Sequence, residues 1–245
     1  MVKKVGLVPS RLNSSRLPEK ALELIEGMPM FAHVYFRAKE SSLEDVYLLT
    51  DSQKIKKVAE NYNIKTLITS KNHRNGTERC HEGGKILGLN DDDIIIDIQG
   101  DEPLIHPIDI SKILNFYLEN KYEIVVSTLE STVYKNKNTV KVALDQNGRI
   151  LYFSREDIKA NSEKLIITKG LVAFNFKTID QYMNIKETEL ERLVKHELQR
   201  CCENDISIHE FRINNDSRAV DVKDDLAFVR EAIKNDSYLQ NYINN

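Results

Sequence analysis

The sequence has no Cys-x-x-Cys pair, no large excess of one charge, and no apolar run long enough to cross a membrane. Its three cysteines, Cys80, Cys201 and Cys202, are an odd number and predict reduced thiols. A formal net charge of −3 provides no global field that would favour DNA, RNA or a membrane surface. Residues 1–8 do not have the pattern of a signal peptide. We therefore expect a cytoplasmic protein that binds neither nucleic acid nor membrane.

Two glycine-rich phosphate-binding motifs are also missing. The chain contains neither Gly-x-x-x-x-Gly-Lys, the signature of a P-loop, nor Gly-x-Gly-x-x-Gly, the signature of a dinucleotide-binding fold. These absences argue against a P-loop NTPase and against a dinucleotide-dependent oxidoreductase. No linker, repeat or low-complexity segment interrupts the 245 residues. We expect one domain over 1–245, with a frayed tail over 235–245.

A short apolar run over residues 94–98 ends at Gly100-Asp101-Glu102-Pro103. Its length and its flanking acidic residues predict a buried central strand rather than a helix. In a parallel sheet the ligand binds just outside the carboxyl ends of the strands. Asp101 would therefore lie where it could bind a hard cation and the phosphate that the cation carries. The alternative is an acidic loop that is merely solvated.

Strands and helices alternate at short spacing up to about residue 130. This rhythm predicts an α/β fold with a doubly wound, mostly parallel, Rossmann-like sheet. Asn147-Gly148, between the apolar segments Val140–Leu144 and Ile150–Ser154, predicts an antiparallel hairpin within a part spanning about 130–212. The pattern also predicts two further helices, Glu78–Leu87 with Thr77 as its cap and Glu189–Cys202.

Charged and polar clusters follow several of the predicted strands. They are Arg11, Arg16 and Lys20; His73 to Arg79; Gln99 to Glu102; and Asp221. Loops after parallel strands converge at one sheet edge, so the first three clusters should meet. Cations beside carboxylates predict a bound polyphosphate, with Mg²⁺ between its oxygens and Asp101. Solvated surface cations, an exposed His73 and a simple turn at Gly76 are the alternatives that patterning alone leaves open.

The order of residues in these clusters resembles that of one enzyme family. The matching motifs are Pro9-Ser10-Arg11 with Ser15-Arg16-Leu17-Pro18-x-Lys20, His73-x-x-Gly76-Thr77-Glu78-Arg79, Gln99-Gly100-Asp101-Glu102-Pro103, and Val220-Asp221. Over about residues 3–230 the chain resembles the 3-deoxy-manno-octulosonate (Kdo) cytidylyltransferases, also called CMP-Kdo synthetases. The resemblance implies transfer of CMP from CTP to the anomeric hydroxyl of Kdo, or of a modified Kdo-like 2-keto sugar acid, with release of pyrophosphate, for lipopolysaccharide or capsule synthesis. It also implies a homodimer to which the hairpin-bearing part contributes.

The resemblance further implies roles for individual residues. It assigns catalysis to Arg11, Lys20 and Asp101, and binding of Mg²⁺ to Asp101 and Asp221. It assigns CTP binding to Arg11, Arg16, Lys20, His73, Gly76, Thr77, Arg79 and Gln99. It assigns contacts with the sugar to Gln99, Glu102, Arg155 and Glu197.

Three positions depart from the family's sugar-side pattern. Gly170 stands where a sugar-contacting His is usual, Phe174 where a Tyr is usual, and Leu198 where a Gln is usual. Because loss of hydrogen-bonding groups changes which hydroxyls a pocket satisfies, we consider an amino or deoxy variant of Kdo as the acceptor. Two rival interpretations are another sugar-acid or sugar-phosphate nucleotidylyltransferase and a non-catalytic nucleotide-binding subunit.

Overall fold

The computed structural model describes residues 2–14, 16–133, 136–158 and 164–243. Ser15, part of the first motif, lies outside these ranges. The strands are β1 (Lys4–Pro9), β2 (Leu24–Ile25), β3 (Met28–Pro29), β4 (Asp45–Thr50), β5 (Thr66–Ile68), β6 (Ile94–Ile98), β7 (Ile124–Ser131), β8 (Lys141–Leu144), β9 (Ile150–Ser154), β10 (Leu165–Asn175) and β11 (Ile208–Arg212). The α-helices are α1 (Met30–Lys39), α2 (Gln53–Glu60), α3 (Gly76–Ile86), α4 (Pro107–Asn120), α5 (Phe176–Asn184), α6 (Glu189–Val194), α7 (Gln199–Cys202), α8 (Lys223–Ala232) and α9 (Leu239–Tyr242). Short 3₁₀ helices cover Lys20–Leu22 and Ile233–Asn235.

One large sheet carries the fold, in the order β11-β7-β10-β6-β1-β4-β5, with β8 pairing to β10 and β9. The pairs β1–β4, β1–β6, β4–β5 and β7–β11 are parallel. Strand β10 runs antiparallel to both of its neighbours, β6 and β7. The mostly parallel α/β sheet is therefore confirmed, and its antiparallel component extends beyond the hairpin into the body of the sheet.

The central strand β6 shows why helices cover both faces of this sheet. All five of its residues are buried. Ile94, Ile96 and Ile98 contribute to the core that also contains residues of α1, α2, α4, α8 and α9. Ile95 contributes to the opposite core, which contains residues of α5, α6 and α7 together with Cys80 of α3. Because successive side chains of a strand point to opposite faces, a continuous apolar run requires cover on both sides.

The predicted hairpin is present as β8 and β9. Its turn is closed by the amide of Asp145, which donates to the carbonyl oxygen of Arg149 at 2.9 Å. Gly148 has a φ of +77°, a conformation that glycine adopts without steric cost. The carboxylate of Asp145 accepts from the amides of Asn147 and Arg149 at 2.8 and 2.9 Å. The Asn-Gly signal therefore identified this turn correctly.

Two predicted helices differ from the structure, and a third helix was not predicted. Helix α3 begins at Gly76, and its cap is Asn75, whose side-chain oxygen accepts from the amide of Glu78 at 2.9 Å, rather than Thr77. The predicted helix Glu189–Cys202 is two helices, because Lys195 adopts a left-handed conformation (φ 54°) that ends α6. Helix α5 was not predicted at all, although Asn175 caps it through the amide of Thr178.

The C-terminal tail is packed up to Ile243, contrary to the predicted fraying over 235–245; Asn244 and Asn245 lie outside the described residues. Tyr242 is only 2% exposed and stacks on Phe36 of α1 with ring centroids 5.8 Å apart. The fully buried Arg37 donates to the Tyr242 hydroxyl at 3.1 Å and to Asp236 at 2.8 Å. The ring of Tyr242 and the buried cation of Arg37 in α1 therefore hold this tail.

None of the helices in the part of the chain that the structure describes is both long enough and apolar enough to span a membrane.

We expect Tyr242→Ala to lower the free energy of unfolding by about 3–5 kcal/mol, the usual cost of truncating a buried large aromatic side chain. Urea titration followed by circular dichroism measures this change. Leu193→Ala is the control, because Leu193 is 73% exposed and its truncation should change stability by less than about 0.5 kcal/mol. A Tyr242→Ala variant as stable as wild type would show that the tail does not stabilise the fold.

Candidate active site

A cavity of about 430 Å³ opens at the carboxyl ends of β1 and β6 and the N-terminus of α3. The predicted site residues that line it are Arg11, Arg16, Lys20, His73, Gly76, Arg79, Gln99, Asp101, Arg155, Glu197 and Asp221. The convergence of the three sequence clusters is therefore observed, and Asp221 joins them. Ser10, Ser14, Arg74, Asn75 and Lys195 also line the cavity. Sequence reasoning assigned none of these five a role; the first four lie within or next to the quoted motifs, whereas Lys195 lies two residues before Glu197.

Lys20 lies between the two carboxylates at the centre of this cavity. Its ammonium nitrogen is 2.6 Å from Asp101 Oδ2 and 3.2 Å from Asp221 Oδ1. It also donates to the carbonyl oxygen of Val220 at 2.9 Å. Burial by itself lowers the pKa of Lys20, but the two neighbouring carboxylates outweigh it, so the pKa is raised above its ordinary value. Lys20 therefore remains a cation at neutral pH.

Hydrogen bonds of the backbone and of two side chains fix the segments that carry the two aspartates. The amide of Val220 donates to the carbonyl oxygen of Asp101 at 2.8 Å. Asp225, in the first turn of α8, accepts from the amides of Asp221 and Val222 at 3.1 Å each. Arg16 donates to Asp221 Oδ1 at 2.8 Å. The segment before α8 is thus fastened both to the Asp101 loop and to the helix that follows it.

The two aspartates fit the requirements of Mg²⁺. Within the described ranges, Asp101 Oδ1 is buried without a hydrogen-bond partner, as expected of an oxygen reserved for a ligand. A lysine ammonium already lies between the two carboxylates, so the position attracts a cation. No group of three or more His, Cys, Asp or Glu side chains in the described chain could hold a metal alone. Mg²⁺ typically uses one or two carboxylates together with substrate phosphate oxygens, which matches this donor set.

The loop before α3 is held by Arg79 and Glu82. Arg79 is buried and donates to Thr69 Oγ1 at 2.5 Å, to the carbonyl oxygen of Ser70 at 3.2 Å and to Asp51 at 3.2 Å. His73 contacts a carboxylate oxygen of Glu82, which also accepts from the amide of Ser70 at 2.7 Å. Both predicted nucleotide contacts are therefore occupied by protein partners that shape the loop, while their side chains still line the cavity.

Two glycines allow close approach of the site loops. A Cβ at Gly100 would lie 2.2 Å from Ser10 Oγ and 2.8 Å from the carbonyl oxygen of Pro9. A Cβ at Gly76 would lie 3.2 Å from Cγ of Pro9. Gly76 is therefore more than a turn residue, because its lack of a side chain lets the N-terminus of α3 pack against the end of β1.

Arg155 and Glu197 form a separate side of the cavity. Arg155 donates to the carbonyl oxygens of Asn138 at 2.7 Å and Lys195 at 3.3 Å. Burial lowers the pKa of Arg155, although Glu197 partly opposes this shift. Glu197 accepts from the hydroxyl of Thr77 at 3.5 Å. This side offers both a cation and a carboxylate to a polar ligand.

Thr77 and Glu102, two of the predicted contacts, are not among the residues that line this cavity in the described part of the chain. Thr77 is buried within α3 and reaches the site only through Glu197. Glu102 is 4% exposed, and its carboxylate accepts from the hydroxyl of Ser217 and lies 4.0 Å from the ammonium of Lys169. Its burial raises its pKa, against the opposing effect of Lys169. These positions do not support direct binding by either side chain.

The three departures from the family pattern lie away from the cavity surface described here. Phe174 and Leu198 are buried in the core that α5, α6 and α7 cover. Gly170 lies against Glu102, because a Cβ there would be 2.7 Å from the Glu102 carboxyl carbon. None of these three residues therefore contributes a lining group to the described cavity.

Asp97 is a buried carboxylate that sequence reasoning did not identify. It lies in the middle of β6, and its Oδ1 finds no hydrogen-bond partner among the described residues. Burial raises the pKa of Asp97 to about 7, and the charges of Glu197 and Asp101 act in the same direction. The only sequence signal was an acid inside an otherwise apolar strand, a position that costs free energy when the acid is ionised.

Comparison with known proteins first defines the class. The sequence profile of the cytidylyltransferase family matches residues 5–221. The 3-deoxy-manno-octulosonate cytidylyltransferase of Chloroherpeton thalassium is 37% identical over 242 residues, covering 94% of this chain and 97% of its own. That of Lawsonia intracellularis is 35% identical over 235 residues, with 92% of each chain covered.

Solved structures agree with this assignment. A CMP:2-keto-3-deoxy-manno-octonic acid synthetase in complex with CTP superposes with a TM-score of 0.86 at 28% identity, covering 95% of this chain and 98% of its own. A cytidylyltransferase of Leptospira borgpetersenii, at 18% identity and a TM-score of 0.66, shares the fold and covers 95% of this chain and 87% of its own. The chain belongs to the cytidylyltransferase family, and within it to the 3-deoxy-manno-octulosonate cytidylyltransferases.

We expect the stability of the wild type to fall relative to Asp97→Asn as the pH rises from 5 to 8. The folded state keeps Asp97 protonated up to about pH 7, whereas an unfolded Asp releases its proton near pH 3.9. Its ionisation therefore opposes folding, and the difference in the free energy of unfolding should grow by roughly 2 kcal/mol between pH 5 and 7. Urea titrations at several pH values measure it.

Asp92→Asn provides the control for this comparison, because Asp92 is exposed and lies two residues before the start of β6. Its profile should follow that of the wild type. Parallel profiles for wild type and Asp97→Asn would show that Asp97 is already ionised at pH 5.

Proposed function

We propose that this protein transfers CMP from CTP to the anomeric hydroxyl of Kdo, releases pyrophosphate and depends on Mg²⁺. The observation that carries the proposal is the convergence of Asp101 and Asp221 on the ammonium of Lys20, inside a cavity lined by Arg11 and Arg16. The relatives named 3-deoxy-manno-octulosonate cytidylyltransferase, which match over more than nine-tenths of both chains, support the choice of reaction. The CTP complex of a structural relative supports the choice of nucleotide.

Asp101 and Asp221 would hold the Mg²⁺ ion, which supplies Lewis acidity that favours an ionised acceptor hydroxyl and binds phosphate oxygens. Arg11, Arg16 and Lys20 provide the cations that face the triphosphate. The carboxylates keep Lys20 protonated, so it can donate to the oxygens on which negative charge grows as pyrophosphate leaves. Removing one such donor typically costs about 2.7–4 kcal/mol in the transition state.

Arg155 and Glu197 suit the acceptor. A guanidinium is well matched to the carboxylate of a 2-keto sugar acid, and Glu197 can accept hydrogen bonds from sugar hydroxyls. Gln99, which also lines the cavity, presents an amide that can both donate and accept. Because a guanidinium also binds phosphate, Arg155 would suit a sugar phosphate as well as a sugar acid. The choice between these acceptors is therefore tested directly.

Kdo itself is the acceptor that we favour over an amino or deoxy variant. The altered positions Gly170, Phe174 and Leu198 lie in the interior around the site, and none of them is among the residues lining the described cavity. The relatives named for Kdo, which match over more than nine-tenths of both chains, support Kdo as the acceptor. The product, CMP-Kdo, would serve synthesis of lipopolysaccharide or capsule, and the supply of CTP would place the reaction in the cytoplasm.

We expect purified protein with CTP and Mg²⁺ to release pyrophosphate when Kdo is present, and more slowly with amino or deoxy analogues of Kdo. A coupled pyrophosphate assay across this panel measures the order. No release with any ulosonic acid would refute the proposed reaction. Release with sugar phosphates instead would assign the chain to another class of nucleotidylyltransferase, and preference for an amino analogue would restore the modified-acceptor hypothesis.

Asp101→Asn should reduce pyrophosphate release by about 10²–10³-fold, because an uncharged amide is a poor ligand for Mg²⁺. Its binding of CTP, measured by calorimetry without metal, should be retained. Asp92→Asn is the matched control and should release pyrophosphate at the wild-type rate. Full activity of Asp101→Asn would exclude the assigned role for that carboxylate.

We also propose that the chain forms a homodimer to which the β8–β9 hairpin contributes. Within the described residues β9 pairs only with β8, and Leu151 on β9 is 51% exposed. An open strand edge with an exposed apolar side chain is a surface that proteins usually cover. Light scattering should give twice the mass of one chain for the wild type and a lower mass for Leu151→Asp. A monomeric wild type would refute this proposal.

A further inference from the structure

Glu102, the residue after Asp101, directs its side chain away from the cavity that Asp101 lines. Glu102 is buried, and the structure places its carboxylate against Gly170, Lys169 and Ser217 instead of the cavity. Burying a carboxylate is costly unless charged and polar partners surround it. Here a hydroxyl and an ammonium supply those partners, so the cost is compensated at one specific place beside the active site.

The space for this carboxylate is made by Gly170. A Cβ at that position would lie 2.7 Å from the Glu102 carboxyl carbon and 3.0 Å from both of its oxygens. The carbonyl oxygen of Gly170 accepts from the amide of Gln99 at 2.9 Å. Strand β10 and the loop after β6 are therefore in direct contact on both sides of Asp101.

The partners of Glu102 lie on the segment that leads to Asp221. Ser217 donates its hydroxyl to Glu102. Lys169 lies 4.0 Å from Glu102 and 2.8 Å from Asp216, so it bridges the loop after β6 to the same segment. Three residues after Ser217, the amide of Val220 donates a hydrogen bond to the carbonyl oxygen of Asp101 at 2.8 Å.

This segment would not hold its shape by backbone preference alone. Arg218 has a φ of +24°, a positive backbone angle that residues other than glycine rarely adopt. Its guanidinium donates to Asp225 at 2.9 and 3.1 Å, which anchors the bend on the side of α8. Glu102 anchors the preceding residue, Ser217, on the side of the sheet. Strained backbone persists where surrounding contacts determine it.

We propose that Glu102 is a positioning residue that anchors the segment 216–221 to the Asp101 loop and so sets Asp221 opposite Asp101. This inference rests on the proposed Mg²⁺-dependent function, because it concerns the geometry of the two carboxylates assigned to the metal. Glu102 acts through Ser217 and the backbone of Val220, and it touches neither nucleotide nor sugar. The rigid placement of ligands by such outer partners commonly governs metal affinity.

The test compares Ser217→Ala, Glu102→Gln and Glu102→Ala with wild type. Mn²⁺, used as the probe ion, is titrated into protein with CTP and followed by electron paramagnetic resonance, with CTP alone subtracted. Glu102→Ala should raise the Mn²⁺ dissociation constant by about 10–100-fold, as loss of an outer partner does. Ser217→Ala and Glu102→Gln, which each retain part of the contact, should give smaller increases. Affinity for CTP without metal should stay at the wild-type value.

Ser207→Ala is the matched control, because Ser207 likewise donates its hydroxyl to a glutamate, Glu123, at 2.8 Å on a different part of the sheet. It should alter the melting temperature about as much as Ser217→Ala but leave the Mn²⁺ dissociation constant unchanged. A wild-type dissociation constant in both Ser217→Ala and Glu102→Ala would overturn the proposal, as would failure of the wild type to bind Mn²⁺. Failure of the wild type to transfer CMP would refute the proposed function, while the Mn²⁺ comparison would still decide the role of Glu102.

Discussion

The ion pairs of Lys20 with Asp101 and Asp221 are the interaction on which the rest of this structure depends. They join three parts of the chain that lie 81 and 201 positions apart in sequence. One cation between two carboxylates removes the repulsion that the two acids would otherwise exert on each other. The contacts of Lys20 with both carboxylates therefore hold these three parts of the chain together at one place.

The sheet topology makes this meeting possible. Strands β1 and β6 are parallel neighbours, so the loops that carry Lys20 and Asp101 leave the sheet at the same edge. Asp221 reaches that edge by another route, through the segment between β11 and α8. Strand β11 lies at the far end of the sheet order, which explains why this last segment needs side-chain anchors such as Ser217 and Asp225.

Sequence reasoning predicted the features that local chemistry determines. The apolar run of β6 and the Asn-Gly turn each follow from a few neighbouring residues, and the structure contains both. The meeting of the loops followed from the parallel sheet. The resemblance to the Kdo cytidylyltransferases added the assignment of roles, and the comparisons confirm the family.

The packed tail could not be predicted because its partners are distant in sequence: Tyr242 is held by Phe36 and Arg37, some 200 positions away. The cap of α3 and the start of α5 rest instead on local contacts that the sequence analysis overlooked. The surroundings of Glu102 also involve residues distant in sequence. The resemblance assigned Glu102 to the sugar, whereas its carboxylate lies against Gly170 and Ser217, which no local pattern connects to it.

The late position of Asp221 also has a consequence for synthesis of the protein. Ribosomes deliver the chain from its N-terminus, so the loops with Lys20 and Asp101 emerge while the second carboxylate is still being made. Until then the ammonium has only one of its two acidic partners. The pair of carboxylates beside Lys20 is therefore complete only after the segment from Asp101 to Asp221, which contains strands β7 to β11, has been synthesised.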